Sequence, residues 1–249
     1  MRGRETAAAT AHRPAAAQRR AEAPAAEEAY GRYFPVALRV DGRLAVIVGG
    51  DREAEAKMEK LLRCRARVTV VAPEVTAQIE RRAAEGTIRL VRRVYRGGDL
   101  AGARIAFCSE LDSAAEVRAE ADRAGVLLNV VDQIGRCDFS AVAYVDRDGL
   151  QIAVHSSGKS AALARRIRER LEREYGEQFE ELVRALGELR GEVKRMLPSA
   201  DSRRELWLQA VDDSLVEQVA GGGFDRPSFE ARVRLLAEAS SRRCAGKNA

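Results

Sequence analysis

The stretch AVIVGGDREAEAKMEKLL, residues 45–62, places an apolar run, two glycines and an amphipathic segment in immediate succession. The apolar run predicts a strand from Leu44 to Val48 that is buried on both faces of a sheet. After the glycines, apolar residues recur at helical spacing, which predicts a helix from Arg52 to Cys64. This stretch therefore predicts the strand, turn and helix with which a parallel α/β domain begins.

Four further apolar runs follow along the chain, and they read ARVTVVAP, IRLVRRVY, ARIAFCS and GVLLNVVD. Helical patterns separate several of them, at about residues 74–85 and 113–124. Strands that alternate with helices predict a Rossmann-like parallel sheet with right-handed crossovers. Such a sheet binds ligands beyond the carboxyl ends of its strands. One more short strand is predicted before the Asp-Gly turn at Asp41, in YFPVALRV.

The pattern changes after Asp132. SAVAYVDRDGLQIAVHSSG contains two extended runs around the turn at Asp148 and Gly149, which predicts a hairpin. The segment KSAALARRIRERLEREYGEQF is helical in pattern, and so is the rest of the chain. Breaks are expected at Pro198, at the glycines of 221–223 and at Pro227.

The composition excludes several classes of protein. Of the 249 residues, 33% are charged and the net charge of +5 is distributed among interleaved Arg and Glu, as on solvated helix surfaces. Only 5% are aromatic, which argues against base stacking and hence against a single-stranded nucleic acid partner. The four cysteines are scattered without a C-x-x-C pair, so no metal site is expected.

Residues 1–30 are rich in Ala and Arg and have no apolar core of a secretory signal. We expect a disordered extension there. No segment is long and apolar enough for a membrane span, and unpaired thiols fit a reducing compartment, so a cytoplasmic location is expected.

The glycine turn reads Gly49-Gly50-Asp51-Arg52-Glu53-Ala54 when it is aligned to the G-x-G-x-x-A loop that carries a dinucleotide pyrophosphate. Asp51 occupies the position of the middle glycine in that pattern. Two like charges about 4 Å apart, at an effective dielectric near 20, repel by about 4 kcal/mol. That energy corresponds to about three decades of affinity. The alternative is that Asp51 caps the helix and competes with the cofactor for its amides.

Two other segments carry groups suited to chemistry. Asn129 and Asp132 lie at the end of the fifth predicted strand, where a carboxylate can transfer a proton, can bind a metal ion or can simply be a turn residue. HSSGKSAALARRIRERLE places hydroxyls, free amides and a lysine before a helix, which suits an anion. An arginine run beginning at Arg165 follows, either as a solvated face or to steer a polycarboxylate. The G-x-x-x-x-G-K spacing of a Walker A loop is absent.

In this order, YFPVALRVDGRLAVIVGG, VTVVAPE, NVVD, CDFSAVAYVDR and SSGKSAALARRIRERLE resemble the siroheme synthase family, from about Tyr33 to Tyr175. That family comprises precorrin-2 dehydrogenases, some of which are also sirohydrochlorin ferrochelatases. The resemblance implies a Rossmann-like NAD-binding domain over 31–146, a small α/β dimerisation element over 147–175 and a helical C-terminal region over 176–249. It also implies a homodimer.

The resemblance implies that NAD accepts a hydride as precorrin-2 becomes sirohydrochlorin, with Asp132 as catalytic acid/base. The substrate is an anionic tetrapyrrole with eight carboxylates, which suits a mildly basic protein. The site candidates combine the contacts that the resemblance implies with the residues at the strand ends and in the loops described above. The cofactor candidates are Gly49, Gly50, Asp51, Arg52, Glu53, Pro73, Glu74 and Ser109, and the substrate candidates are Asn129, Ser156, Ser157, Gly158, Lys159, Ser160 and Arg165.

The sequence departs from the family pattern at several positions. Asp51 replaces the middle glycine, Ser157 replaces one glycine of a pair, and alanines stand at 143 and 161 where proline is frequent. Two alternatives therefore stay open. One is a redox-inactive sirohydrochlorin-binding protein with a degenerate NAD loop. The other is a bifunctional enzyme that also inserts Fe²⁺.

Overall fold

A computed structural model describes the backbone of residues 33–246 and the side chains of residues 33–243. The predicted extension over 1–30 lies outside the described residues. The chain forms two compact units that divide between Cys137 and Asp138. The three domain boundaries expected from the sequence stay predictions.

The first unit contains five parallel strands: β1 (Leu44–Val48), β2 (Arg67–Val71), β3 (Arg89–Val91), β4 (Ala103–Cys108) and β5 (Leu127–Val130). Three helices connect them: α1 (Arg52–Arg63), α2 (Ala77–Ala84) and α3 (Ala114–Ala124). The sheet order is β3-β2-β1-β4-β5, which confirms the Rossmann-like sheet. Because the chain runs outward from β1 in one direction and then returns to β4, the strand order reverses between β1 and β4.

The central strands account for the apolar runs of the sequence. Residues 45–48 of β1 are fully buried, since both faces of the sheet are covered. Val68 in register with Ala45 and Val70 with Ile47 continue this burial into β2. Each buried Val or Ile side chain contributes about 1.5–3 kcal/mol when it is removed from water.

The third strand is shorter than predicted and ends at Val91. Beyond it the chain is tied to α3 by the buried carboxylate of Glu120. Gly98 N and Leu100 N donate to that carboxylate at 2.9 and 3.0 Å, and the Tyr95 hydroxyl donates to it as well. Burial, together with this carboxylate, raises the pKa of Tyr95.

The strand predicted within YFPVALRV is wrong. Residues 33–40 form no strand, and Phe34 and Val36 are exposed. Pro35 lacks an N–H donor, and no strand of the described chain pairs with this segment. The turn at Asp41 is confirmed, and Gly42 adopts φ +66°.

The second unit begins with an antiparallel hairpin of β6 (Ala143–Arg147) and β7 (Leu150–Val154). Asp148 and Gly149 join the strands, and both have positive φ, as the predicted turn requires. Five helices follow: α4 (Ala161–Glu174), α5 (Gln178–Met196), α6 (Ala200–Ala210), α7 (Asp213–Ala220) and α8 (Arg226–Gly246). Pro198 and the 221–223 glycines separate helices as expected.

Pro227 does not break a helix, because it lies in the first turn of α8. A proline is tolerated there because the first N–H groups of a helix have no intrahelical acceptor. Phe179, Leu189 and Val193 of α5 and Val233 of α8 belong to the apolar core of the helices. In the described part of the chain, no helix has the length and apolarity to cross a bilayer.

Candidate functional site

The turn between β1 and α1 depends on two glycines. A Cβ atom at Gly49, which has φ +121°, would lie 2.1 Å from Ser109 Oγ. A Cβ atom at Gly50 would lie 2.0 Å from the carbonyl oxygen of Glu74. The turn therefore passes directly against the ends of β2 and β4, with no room for a side chain.

A cleft of about 480 Å³ opens at this turn, where the strand order reverses. The structure brings together there most of the predicted cofactor residues. Arg52 and Glu53 lie just beyond, on the exposed first turn of α1. The lining residues are Gly49, Gly50, Asp51, Ala72, Pro73, Glu74, Val75, Thr76, Ser109 and Glu110.

Ala72, Val75 and Thr76 were not among the sequence candidates, whereas Glu110 lies just past the end of β4, where ligands were expected. The helix predicted from about residue 74 begins instead at Ala77, with Thr76 as its N-cap. The Thr76 hydroxyl accepts from Ile79 N at 3.3 Å, and Thr76 N donates to Gly50 O at 2.9 Å. A threonine shortly after Pro73 was the signal for this later helix start.

Asp51 is the N-cap of α1. Its Oδ1 accepts a hydrogen bond from Ala54 N at 2.8 Å, and its backbone is extended, with φ −79° and ψ −174°. The capping alternative for this residue is therefore what the structure contains. The cap uses one amide of the first turn, and those of Arg52 and Glu53 have no intrahelical acceptor.

The charged side chains that line the cleft are all acidic. Asp51, Glu74 and Glu110 contribute three carboxylates to the lining, and no Lys or Arg is among the lining residues. Glu110 accepts a hydrogen bond from Ser113 Oγ at 3.2 Å. A bound phosphate would meet free amides at the helix N-terminus together with these negative side chains.

Ser109 carries a buried hydroxyl oxygen with no hydrogen-bond partner among the described residues. A buried polar atom without a partner costs about 1–3 kcal/mol. Its own N–H is used, since it donates to Val48 O at 2.9 Å. A ligand in the cleft would supply the missing partner, so this residue and the glycine turn fit a dinucleotide. Asp51 fits it poorly.

Asp132 follows β5 and is not among the residues that line the cleft. It is exposed and has φ +58°, a left-handed conformation that is uncommon outside glycine. Asn129 lies within β5 and is half-buried. Its side-chain amide lies 3.5 Å from the Cys137 sulphur.

In the second unit, the loop before α4 holds the predicted serine and glycine candidates in one turn. Ser157 and Gly158 both have positive φ, +53° and +77°. Ser156 Oγ accepts from Ser160 N at 3.1 Å, and Ser160 caps α4 by accepting from Leu163 N at 3.1 Å. Lys159 is exposed.

The arginine run of α4 lies on a solvated face. Arg165 has 78% of its side chain exposed and pairs with Glu169 at 2.9 Å. The Arg165 hydrogen bond lowers the pKa of Glu169. Arg168 pairs with Glu172 at 2.6 Å. This pattern fits the interpretation as a helix surface, and a substrate contact by Arg165 stays a prediction.

Within the described residues, no group of three or more His, Cys, Asp or Glu is placed to hold a metal ion. Cys64, Cys108 and Cys137 are thiols rather than disulfides. Burial raises the pKa of Cys108 to about 11, so this thiol stays protonated at neutral pH.

Three family models match successive parts of the chain. An NAD(P)-binding model matches residues 36–143. The central region of sirohaem biosynthesis proteins matches 147–174, and the sirohaem synthase dimerisation region matches 178–226.

Curated relatives agree with these matches. Siroheme synthase of Photorhabdus laumondii is 33% identical over 205 residues, which cover 82% of this chain and 44% of the relative. Siroheme synthase of Methylococcus capsulatus is 34% identical over 84% of this chain and 43% of the relative. The chain thus spans less than half the length of these relatives.

A solved structure, SirC, precorrin-2 dehydrogenase, matches with a TM-score of 0.63 and 25% identity. The match covers 81% of this chain and 99% of that one. The correspondence includes the parallel sheet, the small antiparallel sheet and the helical region.

Proposed function

This chain belongs to the siroheme synthase family, and from that premise we propose that it oxidises precorrin-2 to sirohydrochlorin with a nicotinamide cofactor. The observation that carries the proposal is the turn at Gly49 and Gly50, where a backbone without side chains borders a cleft at the reversal of strand order. The match to nearly the whole length of a precorrin-2 dehydrogenase supports it.

We propose NAD rather than NADP as the cofactor. Glu74 follows β2, 24 residues after Gly50, and lines the cleft. A carboxylate at that place accepts a hydrogen bond from the ribose 2′-hydroxyl and repels a 2′-phosphate. The three carboxylates of the lining add to the penalty for an extra phosphate.

The cofactor would be held by the amides at the N-terminus of α1, by Glu74 and by the Ser109 hydroxyl. When it is bound, its nicotinamide ring accepts the hydride that precorrin-2 loses. The protein's part is to orient the cofactor and to exclude water. Asp51 opposes this binding, so weak affinity for NAD is expected.

We assign Asp132 to the proton that leaves the substrate together with the hydride. Its carboxylate is exposed and stands beyond the carboxyl end of a strand, where parallel sheets place reacting groups. The turn that begins at Val130 fixes its backbone, since Val131 N donates to Cys108 O and Gln133 N donates to Val130 O.

We propose the loop of residues 156–160 as a contact for carboxylates of the substrate. It combines an exposed lysine, serine hydroxyls and the N-terminus of a 14-residue helix. We also propose a homodimer, because residues 178–226 match a dimerisation region.

Oxidation of precorrin-2 by the purified protein, followed by the absorbance of sirohydrochlorin, tests the proposal. We expect turnover that saturates with NAD⁺ and falls by about 100-fold or more in Asp132→Asn, as for loss of a general base. Asp122→Asn is the matched control, because that carboxylate is exposed on α3 and pairs with Arg118. No NAD⁺-dependent product from the wild-type protein would contradict the proposal.

A second candidate is a sirohydrochlorin-binding protein without redox activity. The capping of α1 by Asp51 and the acidic lining of the cleft favour it. It requires that sirohydrochlorin binds while NAD⁺ neither binds nor supports turnover. Fluorescence titration with each ligand separates the two candidates.

Iron insertion into sirohydrochlorin is the other alternative that the sequence left open, and it would use Asp132 to take the pyrrole protons. Here Fe²⁺ is a substrate rather than a resident ion. Metallation measured anaerobically, with and without protein, tests it. A rate equal to that without protein would exclude it.

A further inference from the structure

The position of Asp132 is set by the backbone around it. Its side chain makes no hydrogen bond or ion pair with the described residues. On one side, Val131 N donates to Cys108 O at 2.9 Å and holds the chain to β4. On the other, Gln133 N donates to Val130 O at 3.3 Å and closes a turn. Any group that holds this turn also places the carboxylate.

The thiol of Cys137 lies inside this turn. Its sulphur is 3.2 Å from both Val130 N and Val130 O and 3.3 Å from Gln133 O. The side-chain amide of Asn129 lies 3.5 Å away. The sulphur can accept from the N–H groups, and its single proton is donated to one carbonyl at a time.

The Cys137 thiol lies at the edge of the sheet, next to backbone groups of the last strand. β5 pairs with β4 on one side and is the last strand of the sheet. Val131 N points toward β4, so the N–H and C=O of Val130 point outward, where no strand of the described residues pairs with them. The Cys137 sulphur meets both groups, as a neighbouring strand would.

Two further contacts of Cys137 also hold this turn in place. The residue packs against the apolar core that contains Leu128 and Val130. Its N–H donates to Ile134 O at 3.1 Å, so the short 3₁₀ turn of Ile134–Arg136 ends on it. The residue thus joins the strand before Asp132 to the turn after it.

We propose that Cys137 is a positioning residue, whose thiol closes the turn of residues 130–137 and fixes Asp132 for proton transfer. The catalytic part of this inference rests on the proposed function. The structural part, that the thiol holds the turn closed, stands on the contacts alone.

Hydrogen exchange of backbone amides tests the structural part without any substrate. In Cys137→Ala, the amides of residues 130–136 should exchange faster by about 10-fold or more, because Val130 N loses its acceptor and the turn loses the thiol that closes it. Cys137→Ser keeps a donor and an acceptor and should stay near the wild-type rate. Cys64→Ala, a half-exposed thiol at the end of α1, is the control. Equal exchange in Cys137→Ala and wild type would overturn the inference.

Turnover tests the catalytic part. Cys137→Ala should lower kcat by about 10-fold or more while the affinity for NAD⁺ is unchanged, and Cys137→Ser should restore most of the rate. In the Asp132→Ala background, Cys137→Ala should have no further effect, since the thiol acts through that carboxylate. An additive loss in the double variant, or an unchanged kcat in the single one, would overturn this role.

The two sets of results separate this inference from the proposed function. If the wild-type protein is inactive but exchange is faster in Cys137→Ala, the proposed dehydrogenase activity is wrong and the structural role of the thiol is supported. If the wild-type protein is active but exchange and kcat are unchanged in Cys137→Ala, the dehydrogenase activity is supported and the positioning role of Cys137 is wrong.

Discussion

Two of the turns that precede a helix in this chain carry a larger residue where the resemblance to the siroheme synthase family led us to expect glycine. At the first, Asp51 has an extended backbone and caps α1. At the second, Ser157 has φ +53° and lies before the cap of α4. The two replacements look alike in the sequence, but they change different quantities.

Glycine is required for different physical reasons at the two turns. The backbone of Asp51 suits any residue, so its cost is the charge and volume that a cofactor phosphate would meet. The backbone of Ser157 is left-handed, which costs about 1–2 kcal/mol for a residue with a Cβ. The first replacement should therefore change ligand affinity, and the second should change stability.

The largest expected effect is that of Asp51→Gly on the affinity for NAD⁺. Removal of a carboxylate near the phosphates should strengthen binding by about 10-fold or more, with about 1,000-fold as the upper limit of the repulsion. Calorimetric titration measures it. Ser157→Gly, which also introduces a glycine before a helix, should leave the affinity unchanged. A similar gain in both variants would break the comparison.

Gly50→Ala should affect both binding and stability. The new methyl group would lie 2.0 Å from a backbone oxygen, so the turn must move. We expect a loss of about 1–3 kcal/mol in the free energy of unfolding, together with weaker NAD⁺ binding.

The matched control for this glycine is Gly97→Ala, where a Cβ atom meets nothing within 4 Å. Its free energy of unfolding, measured by denaturant titration, should change little. If the free energy of unfolding of Gly50→Ala is unchanged, the turn has space for a methyl group, in contradiction to the structure.

A smaller effect is expected for Ser157→Gly on stability. Relief of the left-handed serine, offset by the greater freedom of glycine in the unfolded chain, should stabilise the protein by about 0.5–1 kcal/mol. The thermal midpoint should rise by about 1–4 °C. A lower midpoint would mean that the Ser157 side chain makes contacts worth more than its strain.

The smallest expected effect is that of Asp51→Ser on stability. Serine caps a helix about as well as aspartate, so the free energy of unfolding should change by less than about 0.5 kcal/mol. Its affinity for NAD⁺ should rise nearly as much as in Asp51→Gly. If only the glycine variant binds more tightly, volume rather than charge is the obstacle at this position.

The sheet could be predicted from the sequence because its central strands are buried on both faces. Residues 45–48 form an uninterrupted apolar run, and such runs between helical patterns have few other interpretations. The Asp148-Gly149 hairpin was also predictable, since both positions require positive φ.

Other features depend on the tertiary structure. The extended segment around Phe34 has the composition of a strand, but the sequence cannot show whether a neighbour pairs with it. The unpartnered Ser109 oxygen and the contacts of the Cys137 sulphur arise only when distant segments meet. The sequence alone left Asp51 with two roles, and the structure shows the cap.

The central claim is that the cleft beside Gly49 and Gly50 binds a nicotinamide dinucleotide in spite of Asp51. Calorimetric titration of the wild-type protein with millimolar NAD⁺ tests it most directly. The account predicts weak, saturable binding that Gly50→Ala removes and Asp51→Gly strengthens. No heat of binding with either the wild type or Asp51→Gly would contradict it.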